Sequence, residues 1–478
     1  MAKLWVAGEA REVSHSVTVR APWGGAALGD VGLADAAVVE EAVSRAHAAF
    51  DRSWRLPSHV RRDFIARVVD GIGARRERFA ETLCRESGKP IRFAREEVSR
   101  ALMTFTLAAE ESARFFGEAL RLDGQPKGAG MVGLCAWVPV GPVLAITPFN
   151  FPLNLVAHKL APAFALGAPV VLKPARQTPL TALLLAEVVA EAQRATEGIP
   201  PEILSVLPCE NDVAEAMVRD PRLAALSFTG SDSVGWRLRE LAGRKRVTLE
   251  LGGNAALIIA DDADLERAIE DSVGGAFAYA GQVCIKVQRV YAQRRHYDRV
   301  RDALVEGAKK TPVGDPMDPA TRCGPMIDEA AAKRVRRWLD EAEAAGAKVL
   351  CGGARDGNKL TPAVVEGARE GMKLHDDEVF GPVVTVHAFD DIDEAVAAVN
   401  AGRYGLQAGV FTASLDVARR AFWGLKVGGV IVNAAPTFRV DAMPYGGVKD
   451  SGAGREGVRY AMEDLCERRL LALGGFGP

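Results

Sequence analysis

The 478-residue chain is poor in the features that assign a protein quickly. It has seven cysteines, Cys84, Cys135, Cys209, Cys284, Cys323, Cys351 and Cys466, without the spacing of a metal site or the density of a disulfide framework. No metal is expected, and the odd number suits a reducing cytoplasm. Surplus charge of either sign is missing: 60 Lys and Arg stand against 62 Asp and Glu. That balance excludes a basic footprint for nucleic acid and an acidic tail. The opening MAKLWVAGEAREV lacks the apolar stretch of a secretory signal. Repeats and low-complexity linkers are absent too. One uncharged run, MVGLCAWVPVGPVLAITPFNFPLN (131–154), is long enough to raise the question of a membrane span, but it holds Pro139, Pro142, Pro148 and Pro152. Proline breaks helices, so two buried strands joined by a turn are expected there, and no membrane partner.

What is present reads as an ordinary globular chain, 48% hydrophobic and 26% charged. The length suits two to four domains. Short apolar runs alternate with helical patterns. Strands are expected at 141–147, 169–174, 203–207, 224–228 and 247–251. Helices should follow from about 153 to Gly167, with a kink or early end at Pro162, then over 179–194, 211–219 and from Asp232. Such alternation predicts a mostly parallel sheet covered on both faces, with ligands beyond the carboxyl ends of its strands. The pattern restarts after Glu250 with a strand at 255–260, a helix over 264–280 and a turn at Cys284 before a further strand-like run. The tail CERRLLALGG is strand-like, a natural pairing edge for another subunit.

Several residues at those strand ends could carry chemistry. In SFTGSDSVG (227–235), Gly230 and Gly235 flank Ser231 at a helix start, where free N–H groups attract an anion; the bland alternative is a plain strand-to-helix turn. In LKPARQ, Lys173 ends a buried strand and either touches a ligand or snorkels to the edge. Asn150 in TPFNFP is a neutral donor that a rigid loop could aim at an oxyanion, or an Asx-turn residue. Glu250 in VTLELGGN is a general-base candidate or a salt-bridged rim residue. Cys284 in YAGQVCIKVQR is a nucleophile or a packed thiol.

Taken together and in order, with Glu250 and Cys284 34 residues apart (284 − 250), these motifs resemble the aldehyde dehydrogenase superfamily. HDDEVFGPVV (375–384) and MPYGGVKDSGAGREG (443–457) extend the resemblance over nearly the whole chain. The branches it is most similar to act on lactaldehyde, phosphonoacetaldehyde and semialdehydes. The resemblance implies an α/β fold with a Rossmann-type cofactor domain (1–118 and 138–250), an α/β catalytic domain (251–450) and a small β oligomerisation extension (119–137 and 451–478). It implies oxidation of a small aldehyde to its acid with NAD+ or NADP+. Cys284 would form a thiohemiacetal and then a thioester, Asn150 and the Cys284 N–H would hold the oxyanion, and Glu250 would activate water. Thr147, Phe149, Lys173, Arg176, Gly230, Ser231, Gly235, Glu378 and Phe380 would hold the cofactor. A homodimer or homotetramer is implied.

Four positions depart from the family pattern. Arg176 stands where many NAD-using members have Glu, which removes a repulsion against a 2′-phosphate and leaves NADP open. LPCEND (207–212) lacks a common glycine, Phe149 replaces a frequent Trp, and Ser233 replaces an acidic residue. For the substrate, Arg100 and Arg439 are expected by the tunnel, either to grip an anionic or hydroxylated aldehyde or to sit in salt bridges. Two other readings stay open: release of the acyl group to coenzyme A, which Glu250 argues against, and a non-catalytic binding protein that keeps the fold. A Cys–His hydrolase is weaker, since no histidine stands in a pairing motif.

Overall fold

The computed structural model describes residues 2–477. Its first large sheet is built from the apolar runs of the middle of the chain. Arg246–Glu250, Ala225–Thr229, Val143–Ile146, Val170–Lys173 and Leu204–Val206 lie side by side in that order, all parallel. The central strands are buried, as strands covered on both faces must be. Asn154–Leu166, Leu180–Arg194, Asn211–Arg219 and Asp232–Leu241 are helices between these strands. The register sets Ile146 opposite Lys173, and Thr229 opposite Glu250. The expected ligand edge is therefore level, with Thr147, Lys173, Gly230 and Glu250 along it.

Pro162 does not end its helix, which runs through it to Leu166. Every residue of that helix is buried, so packing on all sides offsets the lost hydrogen bond. Gly167, at φ +71°, closes the helix as expected. The sheet also extends past the middle of the chain. Ala2–Val6 lies antiparallel beside Leu204–Val206, followed by Ala27–Gly32 and Ser16–Arg20, and Gly452–Ala453 pairs with Arg246–Glu250 at the other edge.

The second sheet has seven strands, ordered Lys348–Cys351, Ala363–Glu366, Val383–Phe389, Arg289–Gln293, Ala256–Ile259, Gln407–Phe411 and Gly429–Val432. All but the first pairing are parallel. The helix expected over 264–280 is shorter, Leu265–Phe277, and a 3-10 turn follows in which Tyr279 and Ala280 take φ +54° and +52°. Those angles are costly for L-residues and are held by tertiary bonds: Tyr279 N donates to Arg322 O at 2.9 Å and Tyr279 Oη to Ser87 O at 3.3 Å. The run after Cys284 joins the sheet only from Arg289.

A third, antiparallel sheet orders Cys466–Gly474, Met131–Pro139 and Gly117–Arg121. The run 131–154 thus supplies two strands, as expected, but to different sheets. Domain limits at 118 and 137 fall inside Gly117–Arg121 and Met131–Pro139. Among the described residues no helix is long and apolar enough to cross a membrane.

Candidate active site

A cleft of about 1190 Å³ opens at the carboxyl edge of the first sheet. Phe149, Asn150, Gly230, Ser231, Glu250, Cys284, Glu378 and Phe380 all line it. Segments far apart in sequence are thus gathered in one cavity. Thr147, Lys173, Arg176 and Gly235 lie outside its lining, as do Arg100 and Arg439.

Backbone without side chains makes room for the reactive groups. A methyl at Gly252 would sit 2.4 Å from Glu378 Oε2, at Gly253 2.5 Å from the Cys284 carbonyl oxygen, and at Gly446 2.7 Å from Glu250 Oε1. Asn150 is buried. Its Nδ2 donates to Gln282 O at 3.1 Å, which orients the amide, while Oδ1 has no protein partner. The loop carrying it is braced from beneath. Glu97 accepts from the backbone N–H of Leu153 and Asn154 at 2.9 and 3.0 Å and pairs with the buried Lys89, whose Nζ lies 3.4 Å from the Phe151 ring centre.

Glu250 is buried and neither carboxylate oxygen has a hydrogen-bond partner. Burial, and then the nearby Glu456 charge, push its carboxyl well above the ordinary value. Burial pushes Glu456 the same way, but the Lys159 and Arg439 charges overcome it and hold Glu456 low. Lys159 Nζ is 3.2 Å and Arg439 Nη2 3.0 Å from its two oxygens. A raised carboxyl beside a lowered one fits general-base work for the first and a fixed anion for the second.

Burial also pushes the Cys284 thiol up, to about 11, and Sγ lies 3.0 Å from Tyr445 Oη. None of the residues lining the cleft is a histidine. His158 is buried elsewhere, bonded to Asp441 Oδ1 at 2.9 Å. Tyr445, Lys159 and Glu456 were not singled out from sequence. Tyr445 sits in the quoted PYGG stretch, but only the fold shows what its hydroxyl meets.

The cofactor end can be tested for fit. Ser231 occupies the N-cap of Asp232–Leu241, yet its hydroxyl does not cap the helix and remains available to an anion; of the first-turn N–H groups, that of Ser233 already donates to Asp232 Oδ1 at 2.8 Å. Lys173 is buried without a carboxylate in salt-bridge range among the described residues, and burial lowers its pKa. Glu378, pushed up to about 7 by burial, accepts from Gly253 N at 3.0 Å. Phe380 holds φ +44°, a strained angle for a non-glycine, with its ring edge-on to Phe149 at 5.9 Å. These donors, an unpaired cation and a carboxyl at one sheet edge fit a dinucleotide. Gly230 and Gly235 have packing reasons as well: methyls there would strike Phe228 at 2.5 Å and Leu251 at 2.3 Å. Arg176 does not stand free. Its guanidinium pairs with Glu210 at 2.8 Å on the surface.

The two arginines expected by the substrate tunnel are paired within the protein. Arg100, 28% exposed at its side chain, bonds Asp441 at 2.7 Å. Arg439, 6% exposed, bonds Glu456, lies 3.7 Å over the Tyr445 ring centre, and keeps a buried Nε without a partner.

Comparison with known proteins adds independent weight. The Aldehyde dehydrogenase family model matches residues 5–471. A 3-sulfolactaldehyde dehydrogenase of Priestia aryabhattai is 42% identical, covering 98% of this chain and 97% of its own. Aldehyde dehydrogenase 21 of Physcomitrella patens, solved with its reaction product succinate, is 41% identical with a TM-score of 0.97, covering 100% of this chain and 98% of its own. A glyceraldehyde-3-phosphate dehydrogenase of Methanocaldococcus jannaschii, solved with NADP, is 33% identical with a TM-score of 0.92, covering 97% of this chain and 100% of its own. Likeness of this extent, over a cleft already fitted to a thiol, a base and a dinucleotide, places the chain in the aldehyde dehydrogenase family as an NAD(P)-dependent aldehyde dehydrogenase.

Proposed function

We propose that the chain oxidises a short aldehyde bearing an anionic group to the corresponding acid, with Cys284 as nucleophile, Asn150 as oxyanion donor and Glu250 as the base of hydrolysis. The observation that carries the substrate class is Arg439. Its guanidinium is one phenol ring and one hydrogen bond away from the Cys284 sulfur, and its Nε is buried and unpartnered. In this reading the terminal carboxylate, sulfonate or phosphate of a three- or four-carbon aldehyde held at the sulfur extends toward Arg439, which lies beyond the lining of the cleft. Arg100 is the second cation, with an exposed flank. The three relatives agree in kind, since the names of two and the product of the third carry a sulfonate, a phosphate and carboxylates.

In this reading the sulfur attacks the carbonyl carbon and the carbonyl electron pair moves to oxygen. The free Nδ2 hydrogen of Asn150 and the Cys284 N–H receive that oxygen. An NAD+ or NADP+ held at the sheet edge would supply the hydride acceptor for the two-electron oxidation at the carbonyl carbon, which leaves the acyl group on Cys284 as a thioester. Ser231 and the helix start would hold its pyrophosphate, Lys173 and Arg176 its adenosine ribose, and Glu378 its second ribose, with Phe149 and Phe380 as walls; Thr147 would line the approach. Glu250, whose raised pKa makes it a competent proton acceptor, takes a proton from water as the water attacks the thioester. The thiolate leaves and the acid is released.

Three further assignments belong to this reading. The division into cofactor domain (1–118 and 138–250), catalytic domain (251–450) and oligomerisation segments (119–137 and 451–478) is supported in outline by the separate sheets, with the outer limits adjusted to whole strands and with Gly452–Ala453 and the helix Val458–Asp464 belonging to the lobe of the first sheet. A homodimer or homotetramer is supported by two unpaired edges: Cys466–Gly474, with Leu470 and Leu471 exposed, and Gly429–Val432, beside the exposed Phe422 and Trp423. Seven unpaired thiols support a cytoplasmic setting.

The test compares kcat/KM for a carboxylate-bearing short aldehyde and its neutral analogue in wild type, Arg100→Ala and Arg439→Lys. The lysine keeps a cation for Glu456 while removing the fork. A loss at least tenfold greater for the acidic aldehyde is expected in one or both variants. Equal losses on both aldehydes in both variants would remove the anion-recognition reading.

A further inference from the structure

The cleft presents an unsolved acid–base problem. Its thiol is half-buried, lacks a histidine neighbour in the lining, and faces Glu250 and Glu378, whose charges oppose ionisation. A nucleophilic thiolate needs a compensating donor or cation. Among the described residues one side-chain polar group is in hydrogen-bond contact with the sulfur, the Tyr445 hydroxyl at 3.0 Å.

That phenol is fixed with unusual care. Tyr445 N donates to Glu456 O at 2.9 Å, and Glu456 N donates back to Tyr445 O at 2.6 Å. The Glu456 side chain then grips Arg439 at 3.0 Å, and Arg439 lies 3.7 Å over the face of the phenol. Lys159 secures the other Glu456 oxygen and also donates to Ser227 Oγ at 3.0 Å. Tyr445, Glu456 and Lys159 are buried, and the side chain of Arg439 is only 6% exposed. A cation over an aromatic face draws on its electron density, and a phenol so polarised is a stronger hydrogen-bond donor.

We propose that Tyr445 is a catalytic residue of the acylation half: its hydroxyl donates to the Cys284 thiolate, and Arg439, positioned by Glu456, strengthens that donor. The inference rests on the reading of Cys284 as the nucleophile. Ionisation sends the thiol proton to water in the open cleft and leaves the electron pair on sulfur. Attack then forms the S–C bond while the carbonyl pair moves to oxygen. The phenol keeps its proton throughout, in line with a pKa that burial holds well above the ordinary tyrosine value. Among the influences on the thiol, the Tyr445 bond is the largest that opposes burial.

The experiment needs neither aldehyde nor cofactor. Alkylation of Cys284 by iodoacetamide is followed against pH in the full-length wild type and Tyr445→Phe, with Cys284→Ala supplying the background from other thiols. Loss of a hydrogen bond to a charged sulfur lowers the alkylation rate near neutral pH by roughly tenfold or more and moves the rise of the profile to higher pH. Arg439→Lys, which keeps the charge but changes its placement over the ring, falls between the two. A Tyr445→Phe profile that superimposes on wild type, or one that reacts faster, overturns the inference. If Cys284→Ala abolishes dehydrogenase activity while Tyr445→Phe leaves the profile unmoved, this inference alone falls and the proposed function stands.

Discussion

Replacing Glu250 by Gln separates the two halves of the reaction. Both carboxylate oxygens are buried and unbonded, so the amide enters a space of the same shape without breaking a hydrogen bond. The lost function is proton acceptance from water. A positioned base contributes about 10²–10⁴ in rate, equivalent to about 2.7–5.4 kcal/mol at 1.36 kcal/mol per tenfold. Acylation, assigned to Cys284 and Asn150 in the proposed function, should be spared. Rapid mixing of aldehyde and oxidised cofactor with Glu250→Gln is therefore expected to give a burst of about one reduced cofactor per chain, then a steady rate slower by that factor. The pH dependence carries a sign as well. The base works when ionised, so turnover in the wild type climbs with pH through a value well above 4.5, and that limb disappears in the variant. For stability, a carboxyl raised in the fold contributes most below its unfolded value and loses that contribution as pH rises. Glu250→Gln should then gain thermal midpoint over wild type at pH 8 and match it near pH 4. A variant with no burst, or with an unchanged steady rate, refutes the assignment of Glu250 to hydrolysis.

Two other substitutions probe the support around the site. Lys89→Met leaves the Glu97 carboxylate buried without its cation, at a cost of about 3–5 kcal/mol, and loosens the Asn150 loop; a thermal scan should show a lowered midpoint, partly restored in Lys89→Met/Glu97→Gln, and no restoration would mean the pair is not coupled. Glu210→Gln frees Arg176 from its surface partner, so the NADP-to-NAD ratio of kcat/KM should rise about fivefold, the size of an exposed pair, and an unchanged ratio would place Arg176 outside phosphate reach.

The parallel strands were legible because each is a short apolar run bounded by Gly, Pro or a charge, and buried strands have no other pattern. The carboxyl-end rule therefore puts the segments 147–154, 174–178 and 229–235, with Asn150 and Gly230, on one edge from the sequence alone. Three things were hidden because they are set by contacts distant in sequence. The helix after Leu265 stops at Phe277 because Tyr279 is pulled into a left-handed turn by Arg322 and Ser87. The Arg439–Glu456 pair joins residues whose meeting depends on the fold of the C-terminal loop. Arg176 read as free because Glu210 lies across a strand and a helix from it. Two N-terminal strands were missed for a different reason: Glu9–Val13 and Ser16–Arg20 are largely exposed, so they lack the burial signal.

The glycines at 252, 253 and 446 make the immediate walls of the reacting centre out of peptide, with no side chain to trim or enlarge. Laboratory evolution toward bulkier aldehydes consequently has no productive substitutions at those positions. Variation is left to positions other than those three, among them the exposed Phe438 and Val440 that flank Arg439 in the chain. New substrates should therefore be won by reshaping the entrance, while the chemistry at its floor stays constant.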